Sequence, residues 1–135
     1  MAAFEWTNAY SVNISSMDDQ HRILVGLLNE LDEAHAQGRG KQSFLDALGR
    51  LMDYVRTHFE AEEKLMQEND YPGYYDHRQA HIALTIKVAE LQQLKDVYRE
   101  SDTPDLIGFL TQWLVGHIMG VDRRYGVFLN KKGIV

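Results

Sequence analysis

Apolar residues recur three and four positions apart along most of this chain, which is the period of a helix with one buried face. Ile23, Leu24, Leu27, Leu28 and Leu31 predict a first helix over about 18–37. "SMDDQH" starts it, with Ser16 or Asp18 as the cap and acidic residues in the first turn, and "QGRG" stops it at Gly38 and Gly40. Phe44, Leu45, Leu48, Leu51, Met52, Val55, Phe59, Leu65 and Met66 predict a second helix over about 41–69, ended by Asn69, Pro72 and Gly73 in "ENDYPGY". Ile82, Leu84, Ile86, Val88, Leu91 and Leu94 predict a third over about 75–100. "SDTPD" is a stop followed by a start: Pro104 suits a first helical turn, with Asp102 or Thr103 as cap. The fourth helix, over about 104–129, carries Leu106, Ile107, Phe109, Leu110, Trp113, Leu114, Ile118 and Val121. Residues 1–17 hold Phe4, Trp6, Tyr10, Val12 and Ile14 without a period and read as an extended arm over the domain. The tail "NKKGIV" reads as loose.

No strand alternation or internal repeat competes with this pattern. The chain is therefore expected to be all-α, a single domain over 1–135 folded as an up-down-up-down antiparallel four-helix bundle with an N-terminal arm. A net charge of −6 argues against nucleic acid, which calls for a basic face. There is no cysteine, so thiolate sites and disulfides are excluded, in keeping with a reducing cytosol. The N-terminus lacks the basic and apolar regions of a signal peptide, and no apolar run approaches the roughly 20 residues that span a bilayer. A cytoplasmic monomer with no membrane span is expected.

Six histidines in so short and acidic a chain change the picture. His21 opens the first helix; His58 lies in the second half of the next, with Glu62 four positions on in "HFEAE"; His77 and His81 open the third in "HRQAH"; His117 lies late in the fourth, with Asp122 in "HIMGVD". In an antiparallel bundle these positions share one end. They also continue the core stripes Leu51–Val55–His58–Glu62–Leu65, His77–His81–Leu84–Val88–Leu91 and Leu110–Leu114–His117–Val121, so they point inward. Buried polar groups without partners cost several kcal/mol, and metal ions satisfy them directly. Asp122 is the awkward member: five positions on a regular helix turn it about 140° from His117. A π-bulge or kink at "IMG", between Gly116 and Gly120, is expected to bring the two together. His35 lies at the far end of the first helix, about 21 Å from His21 along the axis, and reads as a helix-terminal histidine near Gly38.

Imidazole and carboxylate without thiolate suit iron, zinc, copper or manganese. The set exceeds one tetrahedral zinc and suits two six-coordinate ions bridged by both carboxylates and a solvent-derived oxygen. The Glu-x-x-His pairs of carboxylate-rich diiron oxidases and ferritins are not present. With imidazoles outnumbering carboxylates, the site looks better suited to holding O2 than to cleaving it.

The set His21, "HFEAE", "HRQAH" and "HIMGVD", with the "W" near the N-terminus and "DDQH" before the first ligand, resembles the hemerythrin family, specifically its single-domain bacteriohemerythrins. The resemblance covers essentially the whole chain. It implies that His77, His81 and His117 bind one non-haem iron, that His21 and His58 bind the other, and that Glu62, Asp122 and an oxo or hydroxo group bridge them. It implies O2 carriage or storage, with O2 held as hydroperoxide on the two-histidine iron, and no catalytic residue. A weak peroxidase or oxidase side activity and an O2-consuming client protein fit the same reading. Leu28, Phe59, Trp113, Leu114 and Ile118 are expected to line a dry O2 pocket. Rival readings on the same fold are a diiron peroxidase, an oxidase or nitric-oxide-scavenging enzyme, an O2 or redox sensor module, and an iron-handling protein.

Overall fold

The computed structural model describes residues 4–38, 40–93 and 103–135. Every regular element among them is helical: a 3-10 turn at Asn8–Tyr10, α1 (Ser15–Ala36), α2 (Lys41–Glu68), α3 (Tyr74–Gln93), α4 (Thr103–Gly116), a π-helical segment at His117–Asp122, and α5 (Arg123–Lys131). The last three run on as the fourth rod of an antiparallel four-helix bundle, with α1 packed on α2 and α4, and α2 packed on α3. None of these helices is long and apolar enough to cross a membrane. The expected continuation of the third helix through Leu94 to residue 100, and the cap at Asp102, lie outside the described residues.

The arm is more structured than an extended chain. Helix α1 begins at Ser15, three positions earlier than the acidic start signal suggests, and its N-cap Ile14 makes no side-chain cap bond. Ser16 is therefore not the cap. Asp18 acts instead from within the first turn, where its buried carboxylate accepts the Val12 N–H at 2.9 Å and the Ser11 hydroxyl at 2.6 Å. That contact welds the arm to the helix. Further out, the Asn29 amide accepts the Phe4 N–H at 3.0 Å and donates to the Phe4 carbonyl at 2.8 Å. Phe4, Val12 and Ile14 are buried as a result.

The core follows the apolar stripes with a few exchanges. Leu24, Leu28, Leu31, Phe44, Leu48, Leu51, Val55, Leu84, Val88, Leu110 and Leu114 are buried, whereas Ile23 and Ile86, both on helical period, are about half exposed at 48% and 54%. On α2, Met66 rather than Leu65 reaches full burial. In the last rod the expected bulge is present, as a six-residue π-helix from His117 to Asp122. One extra residue per turn advances the inward stripe by one position. Val121 is consequently only half-buried, and the stripe passes instead through Asp122, Tyr125 and Leu129, each at 0% exposure.

The C-terminal tail is tied rather than loose. The N–H groups of Lys132 and Ile134 bond the Leu129 carbonyl, the Asn130 amide donates to the carbonyls of Ile134 and Asn13, and Ile134 packs on the core. Arg123 donates to the Ala9 carbonyl from the same rod. Where α5 crosses the arm, a Cβ on Gly126 would sit 2.3 Å from the Val12 carbonyl oxygen. Overpacking of this kind costs about 1–3 kcal/mol. Gly126→Ala is thus expected to lower the Tm by roughly 3–15 °C, and an unchanged thermal transition would show that arm and rod separate freely.

Candidate metal centre

The histidine and acidic side chains proposed from the sequence meet in the bundle interior. His21 comes from α1, His58 and Glu62 from α2, His77 and His81 from α3, and His117 and Asp122 from the two ends of the π-segment. All seven are 6% exposed or less; the other buried charged side chain among the described residues is Asp18, which holds the arm. Their ligand-capable atoms fall into two groups, each spanning at most 4.8 Å: Glu62, His77, His81, His117 and Asp122 in one, and His21, His58, Glu62 and Asp122 in the other. Both carboxylates belong to both groups. Asp122 Oδ1 lies 3.0 Å from His77 Nε2 and 2.9 Å from His117 Nε2, while its Oδ2 lies 3.0 Å from His21 Nε2. Glu62 Oε1 lies 3.1 Å from His58 Nε2 and 3.3 Å from His81 Nε2. His35, at the opposite end of α1, takes no part; its carbonyl accepts the Gly38 N–H at 3.0 Å, where Gly38 adopts the positive φ of 62° that ends the helix.

The donor set fits metal ions better than it fits itself. Both oxygens of Glu62 and of Asp122, and both ring nitrogens of His21 and His77, are buried without a hydrogen-bond partner. These atoms face one another at ion-pair distances without hydrogen-bond alignment, so they converge on shared points between them. His81 Nε2 and His117 Nε2 are 3.0 Å apart. That contact is a hydrogen bond when one of the two nitrogens carries a proton, and the same separation matches the edge between adjacent ligands each about 2.1 Å from one ion.

Packing around the cage holds the imidazoles in place. Phe59 stacks on His81 with centroids 3.6 Å apart, and Trp113 stacks on His117 at 4.4 Å. His58 Nδ1 lies 2.7 Å from Gln20 Oε1 and His81 Nδ1 lies 3.2 Å from Glu63 Oε2. An oxygen acceptor requires the proton on Nδ1, which leaves the Nε2 lone pair aimed inward on both rings. Charge is mutually compensated among the side chains of the cage. Burial disfavours the charged form of His21, but its contacts with Asp122 and Glu62 outweigh that and raise its pKa from 6.5 to about 10. Burial likewise pushes Glu62 and Asp122 up, and the surrounding histidines override it, so both carboxyls are held below their ordinary range.

Three residues of the site escaped the sequence reading. Tyr125 is fully buried, lies edge-on to His77 with centroids 5.4 Å apart, and has no partner for its hydroxyl. Burial, then the negative charges of Glu62 and Asp122, push its pKa well above 10, so it remains a neutral donor beside the carboxylates. Its signal was the period after the π-segment: three positions on from Asp122 falls on the same face. Gln20 and Glu63 each precede or follow an inward residue by one position, so periodicity places them on the outside.

Beside the cage is an apolar cavity of about 30 Å³, room for one small molecule, lined among others by Leu28, Phe59, Trp113 and Leu114. Ile118, expected on the same wall, is fully buried but does not line this cavity. One position beyond His117 in the π-segment, it faces a different side of the rod.

Comparison with known proteins agrees with this geometry. The family model for the hemerythrin HHE cation binding domain matches residues 12–129. The chain is 36% identical to a bacteriohemerythrin of Methylococcus capsulatus over 96% of its own length and 99% of that protein's. It is 31% identical to a bacteriohemerythrin of Stenotrophomonas maltophilia, covering 93% of this chain and 80% of the relative. A wild-type hemerythrin crystal structure superposes with a TM-score of 0.80 at 32% identity, over 91% of this chain and 95% of that one. With fold, site geometry and sequence in agreement, this chain belongs to the hemerythrin family.

Proposed function

We propose that this protein binds O2 reversibly, as a carrier or store, at a centre of two non-haem iron ions. The observation that carries the reading is the sharing of Glu62 and Asp122 between two donor groups of unequal size. His77, His81 and His117 with both carboxylates offer five donors to one ion, and His21 and His58 with the same carboxylates offer four to the other. The smaller set leaves room for an external ligand, as open metal sites do. Two ferrous ions bound there would supply the two electrons and the vacant coordination position that O2 requires.

The remaining work falls to the chain itself. Glu62 and Asp122 keep the two positions in register and neutralise positive charge in a core that could not otherwise hold it. Gln20 and Glu63 fix two of the imidazoles with Nε2 facing inward. Leu28, Phe59, Trp113 and Leu114 exclude water and stray protons from the cavity, which keeps a bound O2 from being released in reduced form. On this reading the protein is a cytoplasmic monomer serving an O2-consuming client.

Oxygen uptake by the ferrous protein tests the assignment. One O2 taken up per chain, with no continued consumption of added reductant, is expected; sustained turnover would make the protein an oxidase or peroxidase. Leu114→Ala enlarges the cavity one turn before His117 and is expected to speed autoxidation by about tenfold, on the order of 1.4 kcal/mol in barrier. An unchanged rate of appearance of the ferric spectrum would remove Leu114 from the pocket's function.

A further inference from the structure

The two metal positions differ in what stands behind their histidines as well as in how many histidines they have. Behind His58 is a neutral amide, with Gln20 Oε1 2.7 Å from Nδ1. Behind His81 is a carboxylate, with Glu63 Oε2 3.2 Å from Nδ1. The other oxygen of Glu63 lies 3.3 Å from Arg78 Nε, on the same face of α3 as His81 three positions on, so the carboxylate is held from two sides. Glu63 is itself only 20% exposed and lies along a solvent-open groove of about 190 Å³ between α2 and α3, next to His81. Among the described residues, His21 and His77 have no partner on Nδ1.

We infer that Glu63 is a positioning residue that makes the three-histidine position the tighter of the two and the first to fill. The inference rests on the two-metal reading above. A carboxylate accepting Nδ1–H orients the ring, fixes its tautomer and strengthens Nε2 as a donor, effects that commonly change metal affinity 10- to 100-fold. A neutral amide provides the orientation and tautomer with far less donor strengthening. The arrangement reinforces the difference already set by five donors against four. It gives the chain an ordered assembly: one ion anchors Glu62 and Asp122, and the second completes the four-donor position around carboxylates already in place.

Zinc serves as a redox-silent probe of this order, titrated into the metal-free full chain against a competing chelator. The wild-type protein is expected to bind two ions in two resolved steps. Glu63→Gln should weaken the first step at least tenfold and leave the second within about threefold, bringing the steps together. Gln20→Glu should do the reverse and strengthen the second. Nitrogen-15 NMR of the zinc-loaded protein should show His81 protonated on Nδ1, with that proton moving upfield in Glu63→Gln. Glu63 lies on a groove wall, so neither substitution empties core volume, and circular dichroism before titration verifies the fold. If Glu63→Gln leaves both steps unchanged, or weakens both equally, the inference is overturned while two-metal binding stands. If the wild-type chain binds fewer than two ions, the two-metal reading fails and this inference with it.

Discussion

Asp122→Ala is expected to take up fewer than two iron ions per chain and to lose O2-dependent absorption altogether. Asp122 Oδ1 faces His77 and His117, and Oδ2 faces His21, each within 3.0 Å. Its removal takes one donor from both positions at once, leaving four at one and three at the other, with an alkyl-lined gap between them. Loss of a donor shared by both groups should do more damage than loss of any one histidine. The π-segment places this residue, so its backbone is also under test: Asp122→Asn keeps the volume but turns one bridging oxygen into an amide that donates towards imidazole lone pairs. It should bind no better than the alanine variant. His35→Ala, at the far end of α1 and outside both groups, should retain two ions and the absorption. Two ions retained in Asp122→Ala would show that the shared carboxylate is not a ligand.

Metal removal should have the largest effect on stability. In the apoprotein the cage leaves both carboxylates and two imidazoles buried without hydrogen-bond partners, groups that each cost roughly 1–3 kcal/mol when unsatisfied. Each ion bound at a thousandfold over its Kd adds about 4 kcal/mol to the folded state. Two ions should therefore raise the Tm by on the order of 20 °C or more. The pH dependences should also run in opposite directions. In the metal-free fold His21 has a pKa raised from 6.5 to about 10. Its contribution is complete below pH 6.5 and is lost as pH rises towards 10. Glu62 and Asp122 are held below the ordinary carboxylate range, so their contribution is present above it and lost in acid. The apoprotein should then be most stable in mildly acidic solution and lose Tm from pH 6.5 to 10. Metal affinity should climb over that same interval, because bound metal displaces the imidazole protons. Calorimetric scans of both forms across this range provide the comparison; an apoprotein as stable as the loaded one would remove metal from the folding energetics.

The sequence was most informative where function and packing use the same period. Inward histidines continue apolar stripes, so their depth, their common end of the bundle and even the bulge before Asp122 could be read from spacing alone. On a regular helix the carboxylate would stand about 140° off its face, and the π-helix from His117 to Asp122 brings it round. Periodicity could not report contacts made across the fold. Asp18 read as a helix cap, but it anchors the arm through Val12 and Ser11. The tail reads as loose because spacing does not show the bond from Asn130 to the Asn13 carbonyl of the arm or the packing of Ile134 on the core, both of which need the assembled fold. Gln20 and Glu63 occupy outward phases, and what makes them part of the site is a ring nitrogen from another helix. Ile23 and Ile86 fit the helical period yet face solvent, since period identifies a candidate face and the neighbouring rods determine which residues they cover.

Reversible O2 binding at two irons would leave an optical signature. The most direct test is to load the apoprotein anaerobically with ferrous iron, count the metal, admit O2 while recording the visible spectrum, and then purge with argon. Two irons per chain are expected, with a charge-transfer band that rises with O2 and disappears on purging. A band that never forms, or one that decays to the ferric spectrum and does not reverse under argon, would contradict reversible binding.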